Sequence, residues 1–168
     1  RIHIRALAER PALADDFQIL CIPGGFSYGD DIASGRIFAL ELKTRLGDLL
    51  ARFRDRGGLV LGICNGLPVA HGEGRFVARS DADLAALESA GQLVLRYASD
   101  MSGHATNPNG SALDVAGVCD TSGRVLGLMP HPERFLDATQ HPAWNGRFDP
   151  RAAGAGLQLF ASAVKAVS

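Results

Sequence analysis

The stretch Leu59-Val-Leu-Gly-Ile-Cys-Asn-Gly66 constrains the fold more than any other part of the chain. Its apolar opening reads as a buried strand, and its character changes at Gly62-Ile63-Cys64-Asn65-Gly66. The spacing Gly-x-Cys-x-Gly is that of a nucleophile elbow, a strained strand-to-helix turn that lifts one reactive side chain to its tip. The flanking glycines leave room for neighbouring backbone, so Cys64 is a candidate nucleophile. The continuation is unusual. Leu67-Pro68-Val69-Ala70 runs straight into His71-Gly72-Glu73-Gly74 and leaves almost no room for the helix that an elbow normally requires.

The elements around this stretch define an α/β domain. Phe17 to Ile22 is an apolar run closed by Pro23-Gly24-Gly25, a strand and its loop. A helix is predicted from Ile32 to Arg56, because Phe38, Leu42, Leu46, Leu49, Leu50 and Phe53 recur at helical steps and charged residues cover the other side. Gly57-Gly58 would cap it. Strand, helix, strand is a βαβ unit and implies a parallel sheet. Ser80 to Asp83 predicts a capping box opening a helix that ends near Gly91, and Gln92 to Tyr97 alternates like a strand. Asn107-Pro-Asn-Gly110 signals a turn, and Asp114 to Cys119 with Arg124 to Met129 predicts a hairpin around Asp120-Thr-Ser-Gly123. Met129 to Arg134 reads as an extended, proline-stiffened exit, and Gln140 to Pro150 as loop. Ala152 to Val167 reads as a final helix with Leu157, Phe160, Ala161, Val164 and Val167 on one face. Arg1 to Leu7 alternates and reads as a half-buried strand, and Ala8 to Asp16 as a polar connector. The whole is expected to be three-layered, with functional loops at the carboxyl ends of the strands.

The 168 residues suit one domain with a real core. A net charge of -1 implies no broad basic field for nucleic acid, and no apolar run is long enough to cross a bilayer. Arg1-Ile-His-Ile-Arg5 lacks the apolar core of a signal peptide, so the cytoplasm is the expected location. The 3 cysteines lack metal-type spacing, which argues against a disulfide or zinc scaffold. Cys21 and Cys119 read as small core residues on strands, whereas Cys64 sits in a turn.

A nucleophilic thiol needs a base, and the base needs an orienting partner. Of 5 histidines, His131 stands two residues from Glu133 on the extended segment, where alternate residues share a face. Alone, His-Pro-Glu reads as a turn with a surface ion pair. Combined with the cysteine turn upstream, it favours a triad in which Glu133 holds His131 and His131 serves Cys64. The loop at Gly24 and Gly25 can aim backbone N–H groups at a developing oxyanion. His71 and Glu73 form a second His/acid pair placed to line the site. His3 reads as a polar-face strand residue, and His104 and His141 as loop residues without convincing partners.

Five segments occur here in one order: Pro23-Gly-Gly-Phe-Ser-Tyr-Gly-Asp-Asp31, Gly62-Ile-Cys-Asn-Gly66, His71-Gly-Glu-Gly74, Asn107-Pro-Asn-Gly-Ser111 and Met129-Pro-His-Pro-Glu-Arg134. Together they resemble the glutaminase subunits of phosphoribosylformylglycinamidine synthase, a family of class I (triad) glutamine amidotransferases. The resemblance covers essentially the whole chain and implies a flavodoxin-like fold with a mostly parallel sheet. It implies that Cys64 attacks the side-chain amide of glutamine, that His131 moves the proton, and that Glu133 holds His131. Backbone near Gly24, Gly25 and Asn65 would stabilise the oxyanion, with His71 lining the substrate site. Ammonia would pass to a separate synthetase subunit that uses ATP and magnesium, with a small third subunit bridging the two. The chain itself would need no cofactor, nucleic acid or membrane.

Residues 1–168 then read as a single amidotransferase domain lacking the family's first strand and helix and the segment between Gly66 and Val69. Either Leu67-Pro68 starts a helix whose remainder is missing, or the pair belongs to the segment before His71. A helix N-terminus beside the sulfur would lower the thiol pKa, so its loss weakens the nucleophile. An inactive fragment or non-catalytic subunit of the same complex is the competing reading. An unrelated α/β cysteine hydrolase would explain the cysteine turn but not Asn107-Pro-Asn-Gly or His131-Pro-Glu.

Overall fold

A computed structural model describes residues 1–24, 34–64, 71–72, 75–98, 107–141, 144 and 149–168, with backbone alone for 34–39, 41 and 71–72. The chain divides into two compact units, Arg1–Met129 and Pro130–Ser168.

The first unit is built on a five-stranded sheet. Its strands are β1 (Ile19–Ile22), β2 (Leu59–Ile63), β5 (Leu95–Arg96), β6 (Val115–Cys119) and β7 (Val125–Leu128), in the spatial order β1-β2-β7-β6-β5. β2 pairs in parallel with β1 on one side and β7 on the other. β6 is antiparallel to β7, and β5 is antiparallel to β6. The sheet is therefore mixed, with the expected parallel centre and the expected hairpin. A separate two-stranded ribbon joins β3 (His71–Gly72) to β4 (Arg75–Phe76).

Helix α2 (Ser34–Asp55) covers the sheet because Leu42, Leu46, Leu49 and Phe53, spaced by four, three and four, all fall on one buried stripe. They form the core with Leu7, Ala14 and Val60. The helix ends as the glycine pair requires. Gly57 takes a φ of 97°, and the N–H of Gly58 returns to the Phe53 carbonyl at 2.9 Å. Arg56 then ties the helix end to the preceding loop. Its guanidinium donates to the carbonyls of Ala14, Asp15 and Phe17 and lies 4.7 Å from the centre of the Phe53 ring.

The amino-terminal expectation needs correction. Residues 4–9 form a helix, α1 (Ile4–Glu9), rather than a strand, and Pro11–Ala14 is a 3₁₀ turn rather than an irregular connector. His3 is the cap of α1, its Nδ1 accepting from the Arg5 N–H at 3.2 Å. Ile4, Leu7 and Ala8 lie three and four apart and pack on the α2 stripe, a helical pattern that outweighs two alternating isoleucines. Cys21 is exposed rather than a core residue, and Cys119 is half-buried. The strand expected over Gln92 to Tyr97 shrinks to Leu95–Arg96, because the register against β6 is irregular there.

The remaining expected elements of this unit are present. α3 (Asp81–Ser89) is capped by Ser80, whose hydroxyl accepts from the Asp83 N–H at 3.1 Å. The Asp83 carboxylate faces Arg79 at 3.4 Å instead of completing a capping box. The β6–β7 turn is held by Asp120, whose carboxylate accepts from Ser122, Arg124 and Val125, while Gly123 takes a φ of 69°.

The second unit contains two 3₁₀ turns, Pro132–Arg134 and Ala138–Gln140, followed by α4 (Ala155–Lys165). The start of α4 is fastened to the first turn: the N–H groups of Gly154 and Gly156 donate to Leu136 and Phe135, each at 2.9 Å. The inward face of α4 differs from the predicted one. Gly156 is buried with Leu159, Phe160, Ala163 and Val167 half-buried, whereas Leu157, Ala161 and Val164 are exposed. Close approach at Gly156 decides which line of the helix faces inward.

Candidate active site

β2 is buried from Val60 through Ile63 and lies between two parallel neighbours, so its carboxyl end is fixed by hydrogen bonds on both sides. Cys64 follows directly and has a φ of 53°. A side chain with a Cβ enters the left-handed region only when its surroundings hold it there, at a cost of roughly 1–3 kcal/mol. The sulfur-bearing residue is half-buried and its thiol is free. The strained turn expected from Gly-x-Cys-x-Gly is thus present at Cys64. Asn65 and residues 66–70, where the shortened connection falls, lie outside the described residues.

Register places further candidates at the same end of the sheet. Ile22 pairs with Gly62, so Pro23 and Gly24 leave β1 beside the Cys64 turn. Gly25 lies outside the described residues. Leu128 pairs with Ile63, so Met129 leaves β7 on the other side, its N–H bonded to the Ala116 carbonyl at 2.9 Å. His71 is the first residue of β3, opposite Phe76.

In the second unit His131 and Glu133 are paired. His131 Nδ1 lies 2.6 Å from Glu133 Oε1. Their partnership was legible in the sequence, but the backbone reason was not. Pro132 opens a 3₁₀ turn, and His131 stands in extended conformation just before it. The pair is made across a turn and not along a strand face. With Nδ1 engaged by the carboxylate, Nε2 is the ring nitrogen that the pair leaves uncommitted. Burial pushes the Glu133 carboxyl upward, but the hydrogen bond from His131, a backbone hydrogen bond and the charges of His131 and Arg134 outweigh it. Its pKa is held below the ordinary carboxylate value, so Glu133 stays ionised where an imidazole titrates.

His141 is not partnerless: its ring packs against Phe135, with centroids 5.4 Å apart. His104 lies outside the described residues, as does Glu73. Two supports go beyond the sequence motifs: the glycines at 154 and 156, and the hydrogen bonds that close the expected turn at Asn107 to Ser111. A Gly-x-Gly at the start of a helix was the available signal for the first.

The mixed sheet carries a strained cysteine turn at the end of β2, the strand flanked by two parallel neighbours, an arrangement consistent with a glutamine amidotransferase domain. The family described as CobB/CobQ-like glutamine amidotransferase domain matches residues 1–67 and 66–167. The chain is 32% identical to phosphoribosylformylglycinamidine synthase subunit PurQ of Dehalococcoides mccartyi over 219 residues, covering 98% of this chain and 85% of that protein. It is 36% identical to the subunit of the same name from Lacticaseibacillus casei over 73% of this chain and 70% of that one. Among solved structures, the PurLQS structure from Thermotoga maritima is similar with a TM-score of 0.63 and 26% identity, covering 92% of this chain and 82% of that one. The chain belongs to the PurQ family of glutamine amidotransferase subunits, the family expected from its ordered motifs.

Proposed function

We propose that this chain hydrolyses glutamine to glutamate and ammonia, and that the ammonia serves the conversion of formylglycinamide ribonucleotide to the amidine in purine biosynthesis. The observation that carries the reading is Cys64, held in a left-handed turn at the carboxyl end of a buried parallel strand. The Cys64 thiol gives its proton to His131 Nε2 as the sulfur attacks the side-chain carbonyl carbon. Backbone N–H groups at Gly24, Gly25 and Asn65 stabilise the oxyanion, and His71 lines the substrate site. The tetrahedral intermediate collapses with loss of ammonia, which takes the proton from His131, and a glutamyl thioester remains. Water then attacks the thioester, His131 takes its proton and returns it to the departing sulfur, and glutamate leaves. Glu133 holds His131 in the tautomer that frees Nε2.

The partner class follows from the relatives. They are named as subunits of a synthase, and the similar solved structure is named for PurLQS. Ammonia therefore passes to a synthetase subunit, which uses ATP and magnesium, with a small bridging subunit completing the assembly. This chain needs no cofactor of its own. A cytoplasmic site of action fits a role in purine biosynthesis. Among the described residues no helix is long and apolar enough to cross a membrane.

A non-catalytic role in the same complex is favoured by two observations. The family match breaks at residues 66–67, and the alignment to the Dehalococcoides relative runs over 219 residues although this chain has 168. Both support reading 1–168 as one amidotransferase domain with a shortened segment between Gly66 and Val69. Glutamate release from glutamine, measured with the synthetase and bridging subunits present, separates the two roles. Turnover that is lost in Cys64→Ala supports the glutaminase; no release above Cys64→Ala leaves the non-catalytic role.

A further inference from the structure

The motif Asn107-Pro-Asn-Gly-Ser111 has no part in the chemistry above, yet it forms a closely bonded loop. Asn107 grips the backbone of Ser111 from both sides, its Oδ1 accepting from the Ser111 N–H at 3.1 Å and its Nδ2 donating to the Ser111 carbonyl at 2.9 Å. Nδ2 also donates to Asp114 Oδ1 at 2.8 Å. Leu113 and Asp114 follow with φ values of 50° and 57°, two successive side-chain-bearing residues in the left-handed region. Such strain persists only where surrounding contacts over-determine the backbone. The loop feeds the amino end of β6, and β6 runs antiparallel to β7, so it lies at the sheet end that carries Cys64.

The network is aimed at Ser111, which is 5% exposed and is the buried polar residue among the described ones. Its hydroxyl donates to Asn109 Oδ1 at 2.9 Å and accepts from the buried Phe76 N–H at 3.1 Å. The neighbouring Gly110 approaches the Arg75 side chain, whose Cδ would stand 3.7 Å from an added Cβ. Phe76 of β4 is thereby bonded to the loop, and Arg75 lies beside it. Phe76 is the cross-strand partner of His71, and Arg75 that of Gly72. The ribbon has two residues in each strand, too few to fix its own position.

We propose that Ser111 is a positioning residue for glutamine binding: its buried hydroxyl anchors Phe76 and so sets where the paired strand presents His71. This rests on His71 lining the substrate site. Removing the hydroxyl leaves a buried N–H without its acceptor, and the ribbon then opens more often.

Hydrogen exchange and steady-state kinetics on Ser111→Ala, Ser111→Thr and the wild type test it in the assembled complex. In Ser111→Ala, exchange in the peptide spanning 71–78 accelerates roughly ten-fold, while peptides of β2 and α2 are unchanged. The glutamine KM rises roughly three- to ten-fold with kcat little altered, the signature of lost binding common to ground and transition states. Ser111→Thr keeps the hydroxyl and restores both readouts toward wild type. Unchanged exchange at 71–78 overturns the anchoring whatever the activity, and a wild-type KM in folded Ser111→Ala overturns the link to substrate. Failure of the glutaminase reading shows separately, in the wild type, as no glutamate release above Cys64→Ala.

Discussion

Replacing Gly156 by alanine should disable the His131–Glu133 pair without touching either residue. An ideal Cβ at position 156 would stand 1.9 Å from the Pro132 carbonyl oxygen, 2.7 Å from its carbon and 2.8 Å from the Phe135 oxygen. Ordinary contact needs about 3.4 Å, so the helix start and the Pro132–Arg134 turn must part by about 1.5 Å. The Gly156 N–H bond to Phe135, now 2.9 Å, cannot survive that separation, and the Gly154 bond to Leu136 is strained with it. Overpacking of this kind costs about 1–3 kcal/mol, and the lost backbone bond adds about 1 kcal/mol. The functional consequence is larger. A catalytic group misplaced by about 1 Å loses roughly 10²-fold in rate. The expected result is a protein that still melts cooperatively, with Tm lowered by several degrees and kcat for glutamine hydrolysis down roughly 10²-fold when assayed well below Tm. Ser162→Ala, on the exposed side of α4, is the control and should leave both values unchanged. A folded Gly156→Ala protein with kcat within about three-fold of wild type would show that the turn tolerates the displacement and that the glycine does not hold the pair.

Glu133→Gln should lower kcat by roughly 10²–10⁴-fold by removing the carboxylate that orients His131. Glu133 has a depressed folded pKa, so its contribution to stability is complete above the unfolded value of about 4.5 and is lost as pH falls through the lower folded value. At 46% side-chain exposure that contribution is about 1 kcal/mol or less. Acid melts of Glu133→Gln should therefore show a slightly weaker pH dependence below about 4.5 than the wild type, and identical slopes would count against the pairing. Cys64→Gly should abolish hydrolysis yet raise stability by roughly 1 kcal/mol through relief of the left-handed strain, whereas Cys64→Ala should abolish it without that gain; denaturant titration distinguishes them. Phe53→Ala should cost about 3–5 kcal/mol, since the ring is 2% exposed and supports both the α2 stripe and Arg56, and a thermal melt reads it directly.

Periodicity and punctuation made much of this protein legible. The α2 stripe, the Gly57-Gly58 stop, the β2 run, the Asp120–Gly123 turn and the Ser80 cap are local, and each depends on neighbours within a few residues. Short segments with competing signals were misread. Ile2 and Ile4 alternate, yet Ile4, Leu7 and Ala8 also make a helical stripe, and packing on α2 selected the helix. The inward face of α4 differs from the expected one because apolar residues and alanines occur around the helix, and close approach at Gly156 selects the line that turns inward.

The residue types of the proposed chemistry are legible in the sequence: a cysteine between glycines at the end of an apolar run, and a histidine two residues from a glutamate. These are matters of covalent spacing and backbone freedom, which a linear pattern records. The tertiary structure decided how they are held. The left-handed turn at Cys64 depends on strands β1 and β7 pairing with β2 across long chain separations. The His131–Glu133 bond rests on a 3₁₀ turn seated against two glycines more than twenty residues downstream. Ser111 gains its meaning from an N–H 35 residues away. Such contacts close long loops, and only the folded arrangement shows which distant groups repay that entropy.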